Sequence, residues 1–417
     1  MQAQTGPGWG EMVRVFGRIG VLSFGGPAAQ IALMQRELVE RARWIGEREY
    51  LSALSFCMLL PGPEAMQLAT WCGWRLRGVA GGVLAGLLFV LPGAAVVLAL
   101  SVAYALWGAL ALTAALFVGI KAVVVIVVIE ALVRVARRAL NTRAHRVVAG
   151  LAFVALFGFG LPFPVVILVA GLWGFAQSSG GGLATRAPVQ AGTGRTLAVW
   201  GLVWLGPLAG LMVFGPPLLA EIGVFFSLLA VVTFGGAYAV LAWMTQAVVE
   251  DKGWLTLPQM IDGLGLAETT PGPLILVTEF VGFMAGFGAG GVAMGLAAAL
   301  VALWMTFAPC FLWIFAAAPW LDRITGTPRL AGALAAITAA VVGVIASLSL
   351  WFAVHVVFDT VGRHGALIVP DLASLNPTAV VLGLAAGVAL LRFHLPLPLV
   401  LGLAAAVSGG LALAGLG

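Results

Sequence analysis

Residues 24–63 read FGGPAAQIALMQRELVERARWIGEREYLSALSFCMLLPGP, and residues 234–273 read FGGAYAVLAWMTQAVVEDKGWLTLPQMIDGLGLAETTPGP. The second stretch starts 210 positions after the first and keeps register without a gap through Trp44 and Trp254 to Pro61-Gly62-Pro63 and Pro271-Gly272-Pro273, with 13 of 40 positions identical. Each copy therefore carries two helix-breaking motifs. In a membrane protein, such a pair points to a transporter site built from discontinuous helices where two halves of the chain meet.

Composition places the chain in a membrane. Of its 417 residues 62% are hydrophobic and 9% charged, and the mean hydropathy is +1.11; no water-soluble domain of this size has that balance. Apolar runs at 79–106, 109–129, 197–214, 290–315 and 330–354 each approach the ~20 helical residues that cross a ~30 Å hydrocarbon core. Glu11, Arg14 and Arg18 precede an interrupted, glycine-rich segment, so no cleaved leader is expected. Cys57, Cys72 and Cys310 have no CxxC spacing and read as packing residues. No phosphate loop and no Cys or His cluster is present, which argues against ATP coupling within this chain, a metal centre or a cofactor. His145, His355, His364 and His394 read as solvated residues at span ends.

Basic residues give the topology, because Lys and Arg near span ends gather on the cytoplasmic side. Residues 1–209 hold 16 of the 21 basic residues, grouped, apart from Lys121, at Arg14/Arg18, Arg36 to Arg48, Arg75/Arg77, Arg134 to Arg146 and Arg186/Arg195. With all five groups inside, the segments carrying Phe24-Gly25-Gly26 and Pro61-Gly62-Pro63 must enter the membrane and turn back. Full spans follow at about 79–107, 109–133, 147–161, 163–178 and 197–215. That odd count inverts the second copy. Its counterparts of the basic loops are nearly neutral, Glu250-Asp251-Lys252 and Ala285-Gly286-Phe287, as loops facing out should be. Leu161-Pro162-Phe163-Pro164 and Leu395-Pro396-Leu397-Pro398 extend the echo at an offset of 234. The expected organisation is an all-α polytopic protein of two inverted repeats, each with re-entrant or broken helices and about five full spans. Residues 1–178 form the first repeat, 179–195 a Gly/Ser-rich cytoplasmic linker and 196–417 the second repeat, with span 197–215 joining them.

The breaks suit an anion. Gly25-Gly26-Pro27 and Pro61-Gly62-Pro63 each stop the backbone and restart a helix, as do Gly235-Gly236 and Pro271-Gly272-Pro273. Irregular backbone at membrane depth is tolerated only beside protein or a water-filled cavity, and each restart points free N–H groups and a positive dipole end there. Lys121, mid-span, needs a partner or a ligand, either Glu64 or an anionic substrate. Glu64, in the first turn after Pro63, and Glu268, before the second Pro-Gly-Pro, are candidate proton carriers. Glu279 reads as a solvated span-end residue. Thr269, Thr270, Gln30 and Gln67 offer neutral hydrogen bonds to an oxyanion, although polar residues beside a turn also serve as helix caps.

Taken together, Phe24-Gly25-Gly26-Pro27, Met58-Leu59-Leu60-Pro61-Gly62-Pro63-Glu64, Phe89-Val90-Leu91-Pro92, Thr233-Phe234-Gly235-Gly236-Ala237-Tyr238 and Glu268-Thr269-Thr270-Pro271-Gly272-Pro273 resemble the chromate ion transporter (CHR) family in its long, two-domain form. The resemblance covers nearly the whole chain. It implies a secondary transporter that exports chromate across the bacterial inner membrane, driven by the proton motive force, gives chromate resistance and admits sulfate as a competing oxyanion. Two departures stand out, since serine is expected after the Phe-x-x-Pro motif, where this chain has Gly93, and again after Pro309, where it has Cys310. The expected partners are chromate or sulfate, protons and the lipid bilayer, with no nucleic acid. Glycine-rich faces such as 286–295 leave a homodimer open. The alternatives are a transporter of another tetrahedral oxyanion and, from another class, an intramembrane enzyme acting on a lipid-linked phosphate.

Overall fold

The structure is a computed structural model and describes residues 6–24, 26–108, 111–178, 192–234, 237–321, 327–358, 360–364 and 367–414. Helices dominate it, as a chain in hydrocarbon requires, because only a helix or a closed barrel satisfies its own backbone there. In order they are α1 (Trp9–Leu22), α2 (Gly26–Met34), α3 (Glu47–Cys57), α4 (Glu64–Trp107), α5 (Ala111–Ala139), α6 (Arg143–Phe153), α7 (Phe163–Gln177) and α8 (Thr193–Phe214). Then come α9 (Pro217–Val232), α10 (Ala237–Gln246), α11 (Leu257–Thr269), α12 (Val277–Ala317), α13 (Pro328–Val357), α14 (Pro377–Gly387) and α15 (Leu397–Leu413). One departure from an all-helical chain is a two-stranded antiparallel ribbon, Val361–His364 with Leu367–Pro370, in which Gly362 faces Val369. The spans expected after Arg77 match the second limb of α4, then α5, α6 with a π-helical extension to Gly158, α7 and α8. Residues 179–191 of the expected linker lie outside the described residues.

Among the described residues five helices are long and apolar enough to cross a bilayer, and two of these stretches, Glu64–Trp107 and Leu274–Ala317, have 44 residues each. Drawn out straight, 44 residues make about 66 Å of helix, twice the hydrocarbon core. Both fold back instead. The backbone leaves helical angles at Arg77-Gly78 and again at Gly290-Gly291, with φ of 60° at Gly78 and 69° at Gly291, a left-handed turn that favours glycine. The limbs then run antiparallel in near contact. A Cβ on Gly73 would lie 2.2 Å from Gly81 O, and one on Gly286 2.5 Å from Met294 O. Small residues at such crossings are how membrane helices gain packing without a water-driven force.

The chain packs as two compact units, and each draws on both repeats, so packing unit and sequence repeat are different things. The first holds residues 1–101, 179–237 and 270–331. In it Arg77 Nε donates to Pro7 O at 2.7 Å, Arg75 pairs with Glu49, and Glu37 meets Arg41 at 2.6 Å and Arg18 at 3.9 Å. The start of α3 therefore sits beside the end of the first limb of α4. The chain goes in along α3, breaks at 58–63 and returns, which is the re-entrant course read from the charges. Aromatic side chains including Phe16, Phe56, Phe89, Phe226, Phe280 and Phe283 fill this unit.

The second unit holds residues 102–178, 238–269 and 332–417. Helix α5 runs through it against α11, α14 and α15. Val123, Val127, Ala386, Leu390, Val400, Leu401 and Ala404 form one apolar cluster there. Duplication shows again at the offset of 234. Helix α6 ends in a π turn at Val154–Gly158 and α14 in one at Val388–Arg392. Gly160 and His394 follow with φ of 62° and 52°, and a proline-led helix starts after each.

Candidate functional site

The broken segments of the first unit are tied to each other crosswise. The Gly62 N–H donates to Thr233 O at 2.7 Å, and the Gly272 N–H donates to Ser23 O at 2.8 Å. Positions 23 and 233, like 62 and 272, are equivalent in the two copies, so each repeat's Pro-Gly-Pro turn is closed by the other repeat's Phe-Gly-Gly segment. Both glycines sit at positive φ, 116° and 96°. The hydroxyls beside them match as well: Ser23 Oγ donates to Ile19 O at 2.7 Å and Thr233 Oγ1 to Leu229 O at 2.6 Å. These bonds satisfy carbonyls that a helix end leaves open.

The helices that carry Pro92 and Pro309 take part in the same exchange. A Cβ on Gly93 would meet Pro271 O at 2.3 Å and Gly272 Cα at 3.0 Å, while a Cβ on Gly62 would lie 3.0 Å from Cys310 Sγ. Close approach to the Pro271 carbonyl accounts for glycine at 93, where a serine was expected.

The symmetry ends at the glutamines. Gln30 Nε2 donates to Gly272 O at 2.7 Å and to Ser23 O at 3.4 Å, and Gln67 Nε2 donates to Pro61 O at 2.6 Å. In register, Val240 and Val277 replace them. Both glutamines are fully buried, and the Oε1 of each is buried without a hydrogen-bond partner. Their amides hold the break carbonyls, leaving acceptors rather than donors unused.

Glu64 opens α4, the dipole-stabilised position read from the sequence, and Gly26 opens α2 at a φ of 77°. Thr270 is buried beside the second break. Gly25, Gly235 and Gly236 lie outside the described residues. Glu279 corrects the sequence reading: instead of a solvated span end it is 1% exposed, with Oε2 lacking a hydrogen-bond partner.

The second unit holds an ion pair with a buried carboxylate and a half-buried lysine. Lys121 Nζ on α5 lies 3.1 Å from Asp262 Oδ1 on α11, and Tyr104 Oη, from the last turn of α4, donates to Asp262 Oδ2 at 2.7 Å. Lys121 thus has Asp262 as its ion-pair partner, a residue that the sequence reading did not single out. Two glycines set the approach. A Cβ on Gly265, one turn beyond Asp262, would stand 2.5 Å from Ile120 Cγ2, and one on Gly119 would stand 2.1 Å from Ala404 O. Gly119 N–H also donates to Ser408 Oγ at 3.1 Å. Glu268, 7% exposed, lies in the last turn of α11, where Thr269 Oγ1 donates to Leu266 O at 2.8 Å as a cap. One signal could have exposed Asp262: it is an acidic residue inside an apolar stretch, and an intramembrane lysine calls for a carboxylate.

Among the described residues no group of three His, Cys, Asp or Glu could hold a metal, and the three cysteines are free and buried. What the arrangement can do is hold or exchange charge inside a bilayer and bend at duplicated glycine hinges. Those are the features of a polytopic membrane transporter made from two repeats with broken helices.

The chain belongs to the chromate transporter family, whose sequence profile, described as "Chromate transporter", matches residues 10–175 and 220–410. It is 30% identical over 336 residues to the "Chromate transport protein" of Cupriavidus metallidurans, covering 80% of each chain. It is 33% identical over 343 residues to the "Chromate transport protein" of Pseudomonas aeruginosa, covering 80% of this chain and 79% of that one. With the "Probable chromate transport protein" of Synechococcus elongatus the identity is 30% over 341 residues, 81% and 82% of the two chains. No solved structure matches the chain. The relatives are transport proteins, and the chain is of that class rather than an enzyme.

Proposed function

We propose that the protein is a secondary active transporter that exports chromate from the bacterial cytoplasm across the inner membrane, drawing on the proton motive force and conferring chromate resistance. The observation that carries this reading is a lysine held mid-span in a chain whose relatives bear chromate-transport names over four-fifths of its length. A positive charge at that depth is costly, ~2.5–3.5 kcal/mol on insertion scales, and marks a functional path by default. In this reading Lys121 is the charge partner of the oxyanion. Gly25, Gly26, Gly62, Gly235, Gly236 and Gly272 let the broken segments present N–H groups and change angle. Thr269 and Thr270 add hydroxyls, Gln30 and Gln67 fix the breaks, and Glu64 or Glu268 exchanges a proton during the cycle. The loss of basic residues from the second repeat's loops supports an inverted arrangement of the two halves, with residues 179–195 as the cytoplasmic link and a second copy of the chain as a further partner.

Chromate and sulfate are tetrahedral dianions of similar size, so sulfate is the second reading; one lysine and helix N-termini do not separate them by charge. The test is uptake of radiolabelled chromate into everted vesicles, with and without a pH gradient and with excess sulfate. Expected is uptake that responds to the gradient, is reduced by sulfate and is abolished in Lys121→Ala. Equal uptake by vesicles lacking the protein would overturn the reading.

A further inference from the structure

Three groups converge on one buried carboxylate, and the exposure of the pair is uneven. The Asp262 side chain is 6% exposed and that of Lys121 21%, so the lysine is the less buried partner of the contact. The 3.1 Å charge contact gives Asp262 Oδ1 no aligned hydrogen bond, whereas Oδ2 is fixed by Tyr104 at 2.7 Å. One oxygen is anchored by a hydroxyl, and the other faces the cation of a less buried lysine. Among the described residues Asp262 is the carboxylate in ion-pair contact with Lys121. Helix α15, which packs on α11, carries no titratable side chain; on α5, Glu130 pairs with Arg134; on α11 itself, Glu268 lies nearly two turns beyond Asp262.

We infer that Asp262 is the counter-ion which a transported dianion displaces from Lys121, and that the displaced carboxylate takes up one proton on Oδ1. The inference rests on the proposed reading of the chain as an oxyanion transporter. Without the anion, Lys121 and Asp262 sum to zero charge. A dianion on Lys121 with Asp262 still ionised would bring the site to −2; a proton taken from water onto Asp262 brings it to −1, and anion release returns the proton. Uncompensated charge is what a bilayer interior opposes most strongly, so anion and proton bind as partners, and export of the pair, which carries one net negative charge, draws on the electrical part of the proton motive force. The coupling is reciprocal: the anion raises proton affinity by the factor by which the proton raises anion affinity. Tyr104 is a positioning residue that holds Oδ2 while Oδ1 changes state.

The test uses the full-length purified protein with chromate and, separately, sulfate, which keeps both charges across neutral pH so that any proton taken up is the protein's. Proton uptake is read with a pH dye in weak buffer, and affinity is measured as a function of pH. Expected is about one proton per sulfate and an apparent Kd that rises about tenfold per pH unit where free Asp262 is ionised and the complex protonated. Asp262→Asn should bind without proton uptake and with a flat pH profile. Tyr104→Phe, which leaves the ion pair in place, should keep the uptake and move the profile to higher pH, because it removes a hydrogen bond that favours the ionised carboxylate. Wild-type binding with no proton uptake would overturn the inference and leave the transport reading standing. Uptake that persists in a folded Asp262→Asn would overturn it too and move the proton to Glu64 or Glu268. If the wild type binds neither anion, both fall together.

Discussion

Placing alanine at the glycine of the first Pro-Gly-Pro turn isolates what the crossed breaks demand. Gly62 has a φ of 116°, beyond even the left-handed basin, which costs an L-residue roughly 1–2 kcal/mol. Its new methyl would also stand 2.9 Å from Gln67 Nε2 and 3.0 Å from Cys310 Sγ. Overpacking of that kind adds typically 1–3 kcal/mol, so Gly62→Ala should cost about 2–5 kcal/mol. Gly26 is the internal control: its φ is 77°, yet a Cβ there meets nothing within 4 Å, so Gly26→Ala should cost only the ~1–2 kcal/mol of backbone strain. Adding Cys310→Ala to Gly62→Ala removes the sulfur contact and should recover part of the loss, leaving the strain. The assay is thermal unfolding of the detergent-purified variants, followed by fluorescence-detected size exclusion, with vesicle chromate uptake alongside. Equal melting temperatures for Gly26→Ala and Gly62→Ala, both with full uptake, would refute the argument that the crossed turns are tightly packed.

Gly93→Ser should destabilise by about 1–3 kcal/mol or more, because its Cβ would press on the Pro271 carbonyl at 2.3 Å; an unchanged melting temperature would contradict the close approach. Lys121→Met should cost about 3–5 kcal/mol by leaving the buried Asp262 charge unpaired, Asp262→Leu should cost less because Lys121 is only half-buried, and the double variant should cost much less than their sum; additivity in a thermal double-mutant cycle would mean that the two do not interact. Gln30→Leu should cost about 1–3 kcal/mol, the range for stranding a buried carbonyl, here that of Gly272, and an undiminished melting temperature would show that carbonyl satisfied by another donor.

Much of the architecture was legible from local signals. Glycine and proline marked the breaks, the hydropathy of 79–106 and 109–129 marked the second limb of α4 and α5, and the basic clusters anticipated the re-entrant hairpin that Arg75 and Glu49 close. What stayed hidden depends on contacts distant in sequence. The repeat showed that two Pro-Gly-Pro turns exist but not that each bonds to the other copy's Phe-Gly-Gly segment. Asp262 was passed over because its role arises only where Gly265 lets α11 close on Ile120, and no local period announces a tertiary approach. Gln30 and Gln67 were read as donors to a ligand; their buried state and the carbonyls they hold could be seen only once the turns had a shape. Glu279 went astray because a carboxylate near a predicted span end is ordinarily solvated, and tertiary packing overrode that.

The crossed bonds also set a timetable for biogenesis. Gly62 finds its acceptor at Thr233 and Ser23 its donor at Gly272, about 170 and 250 residues further along the chain. At the ~5–20 residues per second of synthesis, the first copy waits on the order of 10–50 s for the second. Throughout that interval its Pro-Gly-Pro amide has no native partner in a medium where an unpaired N–H costs several kcal/mol. The first half must then stay near water or the insertion machinery until the second emerges. A nascent chain arrested before residue 233 should accordingly be more open to proteolysis at 58–63 than one released complete.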